Sequence, residues 1–174
     1  MRPVKRPLQK ESGLTGGIEF GIKKIKSREG NSLKRIHVAA AIIVDNSEKD
    51  KKIFATQRGY GDWKDYWEFP GGKIEEKETP EEAIIREIEE ELDTLIRPVE
   101  KLTTIEYDYP EFHLSMECFI CEVVKGELKL LEAEDSRWLT KADLRSIGWL
   151  PADETILKQI EERIFDVEED LQGL

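Results

Sequence analysis

The sequence predicts an α/β protein in which a mixed β-sheet lies between helices on both faces. Three observations carry that expectation: short strand-like runs at 36–44, 53–57, 102–107 and 114–124, a strongly signalled helix beginning at Pro80, and an amphipathic closing segment. The 174 residues suit one domain of ordinary size with appendages. The 39% hydrophobic content is enough for a core, although 37% charged residues is high. No internal repeat is present.

In chain order, residues 1–35 form a basic arm with ten Lys/Arg against three Asp/Glu, and 36–174 form an acidic body with seventeen against thirty-five, giving a net charge of −11. Pro3, Pro7, Gly13, Gly16, Gly17 and Gly30 interrupt the arm, while Gly17 to Lys26 alternates well enough for an edge strand. Such an arm binds nucleic acid, holds an acidic partner, folds back on the body, or stays partly disordered with no catalytic consequence. The last is the simplest expectation.

Ile36 to Val44 and Ile53 to Gln57 read as strands separated by the charged turn Asp45 to Lys52. Leu102 to Tyr107 and Leu114 to Val124 read as two more. Cys118 and Cys121, three apart in the last of these, fall on opposite faces of a strand, so they share neither a metal nor a disulfide and act as small apolar residues. Thr140 with Asp143 predicts a cap for a short helix through Ser146. A final helix from about Ala152 to Glu168 turns Ile156, Ile160 and Ile164 inward. No apolar run approaches the roughly eighteen residues of a membrane helix, and the basic start lacks the apolar core of a secretory signal. A soluble cytoplasmic protein is expected.

The helix at Pro80 carries the most chemistry. Thr79 as N-cap, Pro80 at the first helical position and Glu82 three residues after the cap compose a capping box. Ile84, Ile88 and Leu92, with Ile85 beside them, form the buried stripe, and Glu87, Glu90 and Glu91 fall in a flanking sector, so three carboxylates are expected to converge. Like charges three or four apart destabilise a helix by a few tenths of a kcal/mol per pair, roughly, and late acids oppose its dipole. Two readings explain them: a solvated acidic face, or a site for a hard divalent cation such as Mg²⁺.

Gly72, five residues, Glu78, seven residues, then Arg86-Glu87-Ile88-x-Glu90-Glu91 resembles the Nudix box of the MutT/Nudix hydrolases, which act on nucleoside diphosphate derivatives. The chain departs at Asp93 and Thr94, where the pattern asks for Gly and an aliphatic residue. Trp67 to Lys73, Tyr107 to Pro110 with His113, Trp138-Leu139 and Leu150 to Asp153 extend the likeness to the 8-oxo-dGTP diphosphatase-like branch, over about residues 36–164.

That resemblance implies an α/β/α sandwich and a Mg²⁺-dependent (Mn²⁺ as the alternative) pyrophosphohydrolase of (deoxy)nucleoside triphosphates. It places metal on Glu87, Glu90, Glu91 and the Gly72 carbonyl, with Glu87 activating water. Glu78 and Arg86 are implied as supporting groups, although Arg86 also fits an ordinary surface partner of Glu82 or Glu90. Glu132 falls where an additional metal-binding acid is found, with Glu134 and Asp135 as neighbouring alternatives. Arg58 matches a nucleotide-contacting arginine and Phe69 an aromatic wall beside the base. Asp153 stands where a purine-reading member carries Asn. A carboxylate reads a base edge differently from an amide, and Asp153 equally suits a helix N-cap. The resemblance implies sanitisation of oxidised nucleotides such as 8-oxo-dGTP, with a CTP or modified-dCTP enzyme and a non-catalytic nucleotide- or nucleic-acid-binding module as the alternatives.

Overall fold

The computed structural model describes residues 33–167. The arm through residue 32, with its expected edge strand, lies outside the described residues, as does the end of the chain from 168.

Strand β1 (Lys34–Asp45) is the axis of a seven-stranded sheet. It runs parallel to β6 (Phe112–Lys125), from Lys34↔Phe112 to Ile43↔Cys121. On its other side, Val38 to Ala40 pair antiparallel with β4 (Gly71–Lys73), and Val44 and Asp45 pair with β2 (Lys52–Gln57). Beyond β2 lie β3 (Trp67–Glu68) and β7 (Asp135–Leu139), and β5 (Leu95–Asp108) pairs antiparallel with β6. One parallel pair among antiparallel ones makes the sheet mixed, as the sequence predicts.

Successive residues of β1 supply two different cores, because side chains alternate across a strand. Val38, Ala40 and Ile42 face a layer closed by Ile156, Leu157, Ile160 and Ile164. Ala39, Ala41 and Ile43 face helix α1 (Pro80–Leu92), which contributes Ala83, Ile84, Ile88 and Leu92. Both layers exclude water from β1, and its run of apolar residues is accordingly unbroken. Cys118 and Cys121 divide between the two cores, and burial pushes the Cys121 thiol up to about 12.

Two helix expectations are corrected. Residues 140–147 form a run of turns: Asp143, Leu144 and Ser146 bond to carbonyls three residues back, and the Thr140 hydroxyl donates to Asp143 at 2.8 Å. The closing helix is broken into α2 (Pro151–Glu154), α3 (Leu157–Ile160) and a π-helical turn (Glu161–Phe165). The Thr155 hydroxyl donates to the Ala152 carbonyl at 2.6 Å, competing with the helical ladder at the break. Ile156, Ile160 and Ile164 are nonetheless all buried.

The exit from α1 explains the Asp93-Thr94 departure. Asp93 takes the left-handed conformation (φ 51°) that glycine usually supplies, which Asp tolerates, and its N–H reaches the Glu89 carbonyl at 3.0 Å. Thr94 is buried and donates its hydroxyl to the carbonyls of Leu92 (2.9 Å) and Glu127 (3.0 Å). Ile88→Ala opens a cavity beneath α1. It is expected to cost about 2–5 kcal/mol, read as a lower denaturation midpoint with an unchanged slope in urea.

Candidate active site

Antiparallel pairing with β1 holds Gly71 and Gly72 opposite Ala40 and Ala39, at the edge of the layer that α1 covers. A Cβ at Gly71 would stand 2.0 Å from the Ala39 carbonyl oxygen. At Gly72 it would stand 2.4 Å from the carboxyl carbon of Glu87, so this carboxylate occupies the space a side chain would take. Glu91, one helical turn on, lies near enough to the Gly71 backbone for that backbone to favour its charged form. Two acids of α1 therefore lean on two successive glycines.

Arg86 fixes their approach. Its Nε and Nη2 donate to the two oxygens of Glu78 at 2.7 and 2.9 Å, Nη2 also donates to the Lys73 carbonyl at 3.0 Å, and Nη1 donates to Glu87 at 2.8 Å. Glu78 in turn accepts the Glu75 N–H at 3.0 Å. This bidentate pair ties the loop before α1 to the first turns of the helix. The Glu82 carboxylate bonds the Thr79 N–H at 2.8 Å and plays no part in it.

The expected convergence of three helix acids is partial. Glu87 is buried and Glu91 partly so, whereas the Glu90 side chain is 59% exposed and reaches only Arg86 Nη1, at 3.5 Å. Among the described residues, no three His, Cys, Asp or Glu side chains stand as a ready chelate. Arg86 Nη1 bonds Glu87 at 2.8 Å and stands 3.5 Å from Glu90, so the guanidinium occupies the space between these two acids.

Glu132 reaches the site through the loop after β6. Lys129 and Leu131 donate their N–H groups to the Leu92 and Glu91 carbonyls at 3.0 and 3.1 Å, satisfying acceptors that the helix end leaves open. Glu132 follows at once, and its charge acts on both Glu87 and Glu91. Glu134 instead abuts Gly59, and Asp135 lies in β7 with its carboxylate on the Ser136 N–H.

Burial raises the Glu87 pKa, with Glu90 and Glu132 adding to the rise against Arg86. Burial lifts Glu91 well above the carboxylate range, and Glu68, Glu87 and Glu132 lift it further. Glu78 moves down because Arg86 bonds its charged form. Five carboxylates, Glu68, Glu87, Glu90, Glu91 and Glu132, thus act on one another short of positive charge. Hard oxygen donors, a glycine backbone bared to a carboxylate and this mutual repulsion all fit a divalent cation.

A narrow cleft of only about 20 Å³ adjoins the glycines, lined by Glu68, Phe69, Gly71, Gly72, Met116 and Asp153. Asp153 is 1% exposed and its Oδ1 accepts the Phe69 N–H at 2.8 Å. The N-cap of α2 is Leu150, so Asp153 is not the cap that its residue type suggests. Burial pushes its carboxyl up to about 8, with the Glu68 charge adding to the rise. Phe69 is buried, with its ring stacked on Trp149 at 4.6 Å between centroids. Arg58, just past β2 and also buried, donates through Nε to both oxygens of Glu68 at 3.0 and 3.1 Å.

Glu68 is the acid that sequence reasoning passed over. It sits in a two-residue strand whose alternation is too short to show, and its only sequence signal was the Trp67 to Lys73 run around it. The NUDIX domain family profile matches residues 35–164, three quarters of the chain.

The chain belongs to the NUDIX family.

Its relatives include an 8-oxo-dGTP diphosphatase of Proteus vulgaris, 38% identical over 96 residues (55% of this chain, 83% of that protein). Another, from Escherichia coli, is 30% identical over 129 residues (74% and 98%). An ADP-ribose pyrophosphatase of Methanocaldococcus jannaschii is 35% identical over 148 residues (82% and 85%). The solution structure of the E. coli ORF135 protein matches with a TM-score of 0.66 at 26% identity, covering 82% of this chain and all of that one. Nudix hydrolases act on nucleotide substrates and generally need a divalent metal. Among the described residues no helix is long and apolar enough to cross a membrane.

Gly72→Ala forces Glu87 out of its seat. Manganese titrated into the variant and followed by electron paramagnetic resonance is expected to show affinity lowered about tenfold or more, with the thermal melt of a folded protein retained.

Proposed function

We propose that this Nudix protein hydrolyses (deoxy)nucleoside triphosphates to a nucleoside monophosphate and pyrophosphate with Mg²⁺, and that oxidised nucleotides such as 8-oxo-dGTP are its substrates. The observation that carries this reading is the seat of the Glu87 carboxylate on Gly72, at one end of a cleft whose other end is the buried carboxyl of Asp153. Similarity to two 8-oxo-dGTP diphosphatases supports the choice of substrate. A hydrolase of the nucleotide pool works in the cytoplasm.

Glu87, Glu90, Glu91, Glu132 and the Gly72 carbonyl would hold the metal, which supplies the charge that lets a triphosphate approach four carboxylates and polarises water toward attack. Glu87 takes the proton at a carboxylate oxygen as the water oxygen bonds to an internal phosphorus. The bridging P–O bond breaks and pyrophosphate leaves. A raised pKa suits a general base near neutral pH. Arg86 and Glu78 hold Glu87 at its angle. Glu87→Gln is expected to lower kcat by about a hundredfold or more, measured as pyrophosphate release, and to leave the melting profile cooperative.

Asp153, with Arg58 and Phe69 near it, reads the base. With its carboxyl pushed up to about 8, Asp153 keeps its proton at neutral pH and can offer an O–H donor where an amide would offer N–H. That donor is present below about pH 8 and is lost as pH rises through that value. KM for the preferred triphosphate is therefore expected to climb between pH 7 and 9 in the wild type and to stay level in Asp153→Asn. The acid at this position also favours a second reading, a CTP or 5-substituted dCTP enzyme. Turnover of 8-oxo-dGTP, dGTP, CTP, 5-methyl-dCTP and ADP-ribose by both forms decides between the substrates. Metal binding with no hydrolysis of any of them would favour a non-catalytic binding module.

A further inference from the structure

Helix α2 begins in an unusual way for a segment that carries a cleft residue. Its N-cap is Leu150, which has no side-chain acceptor to offer, so the first donors of the helix must be met from elsewhere. Pro151 has no N–H. The Ala152 N–H is met by the Tyr109 hydroxyl oxygen at 3.2 Å, across 43 residues of sequence.

Tyr109 is well placed to be a fixed acceptor. It is 2% exposed, in the turn between β5 and β6, with its ring stacked on Phe112 at 4.9 Å and packed against Tyr107 at 4.9 Å and Trp63 at 5.8 Å. Burial raises its pKa, so the hydroxyl remains neutral. The residue next to Ala152 is Asp153, held on its other side by the Phe69 N–H at 2.8 Å. The lateral position of Asp153 in the cleft is thus set between two hydrogen bonds. One comes from the β3–β4 turn and the other, through the backbone, from the β5–β6 turn.

We propose that Tyr109 is a specificity-determining positioning residue, whose hydroxyl caps α2 from outside and fixes the Asp153 carboxyl at the distance from Phe69 that selects the base. The inference rests on the reading of Asp153 as the base-reading group. Tyr109 is buried, and its hydroxyl meets the Ala152 N–H instead of facing the cleft residues. It acts through Ala152 on Asp153, and α1, which carries Glu87, packs against the other face of the sheet from α2.

Tyr109→Phe removes one oxygen and keeps the ring stack. The preferred triphosphate is expected to lose about tenfold in kcat/KM, almost all of it in KM, while the least preferred changes less than about twofold and the ratio between them shrinks accordingly. Mn²⁺ affinity is expected to match the wild type. A discrimination ratio equal to the wild type's overturns the proposal. So does a uniform loss across substrates together with a lower melting temperature, since that is the mark of a structural role only. Calorimetric binding of the monophosphates 8-oxo-dGMP, dGMP and dCMP to both forms repeats the comparison without turnover. If the wild type hydrolyses no triphosphate, the proposed reaction fails by itself, and Tyr109 is judged on whether the variant weakens the best-bound monophosphate selectively or all three alike.

Discussion

The carboxylate of Glu87 lies where residue 72 would carry a side chain, and the rest of the site is arranged around that contact. For α1 to come so close to β4, the glycine must be pinned in register by β1, and the helix must be pressed onto the sheet by Ile84, Ile88 and Leu92. The capping box sets where the helix starts, and with it which turn meets the glycine. Arg86 then closes the gap laterally by joining Glu78, the Lys73 carbonyl and Glu87 in one guanidinium. Each of these is an ordinary device of folding, and together they force an acid against bare backbone.

Holding acids this way is unfavourable without a counter-charge. Burial raises Glu87, Glu91 and Glu68, repulsion raises Glu87 and Glu91 further, and among the described residues the cations that oppose these rises are Arg86 at Glu87 and Arg58 at Glu68. Stability given up at a site of this kind is a common trade for binding power, because a cation or a charged ligand gains most where unlike charge is lacking. The loop after β6 adds Glu132 to the same imbalance, and it does so by capping the C-terminal carbonyls of α1 with its own N–H groups.

What could be read from sequence follows from how many residues encode each feature. The start of α1 is written redundantly, in a cap, a proline, a reciprocal acid and an apolar stripe, and the structure reproduces all four. Strand β1 shows itself by the continuous apolar run Val38 to Val44, and β6 by apolar residues broken by His113, Ser115 and Glu117. Strands β3 and β4 span two and three residues, too few for any period, and they exist because β1 and β2 offer edges. The break after α2 depends on one threonine hydroxyl competing for a carbonyl, a contest that an apolar periodicity of three and four cannot reveal. Among the site residues, the box positions were visible by spacing. Glu68 and Tyr109 were not, since each gains its meaning from a partner far along the chain, Asp153 and Ala152 respectively. The outward turn of Glu90 was hidden for a related reason: helical geometry places a Cβ but leaves open the rotamer, which here puts the carboxylate in solvent 3.5 Å from Arg86.

The sheet that separates the two cores also separates two kinds of heritable change. On the proposed function, the residues that would cut the phosphate chain sit with α1 on one side and those that would choose the base sit with α2 on the other, linked through the β3–β4 turn and the charge of Glu68. Substitutions around Tyr109, Trp149 or Asp153 can accumulate without disturbing Glu87 on its glycine. A lineage built on this plan can change diet while keeping its teeth.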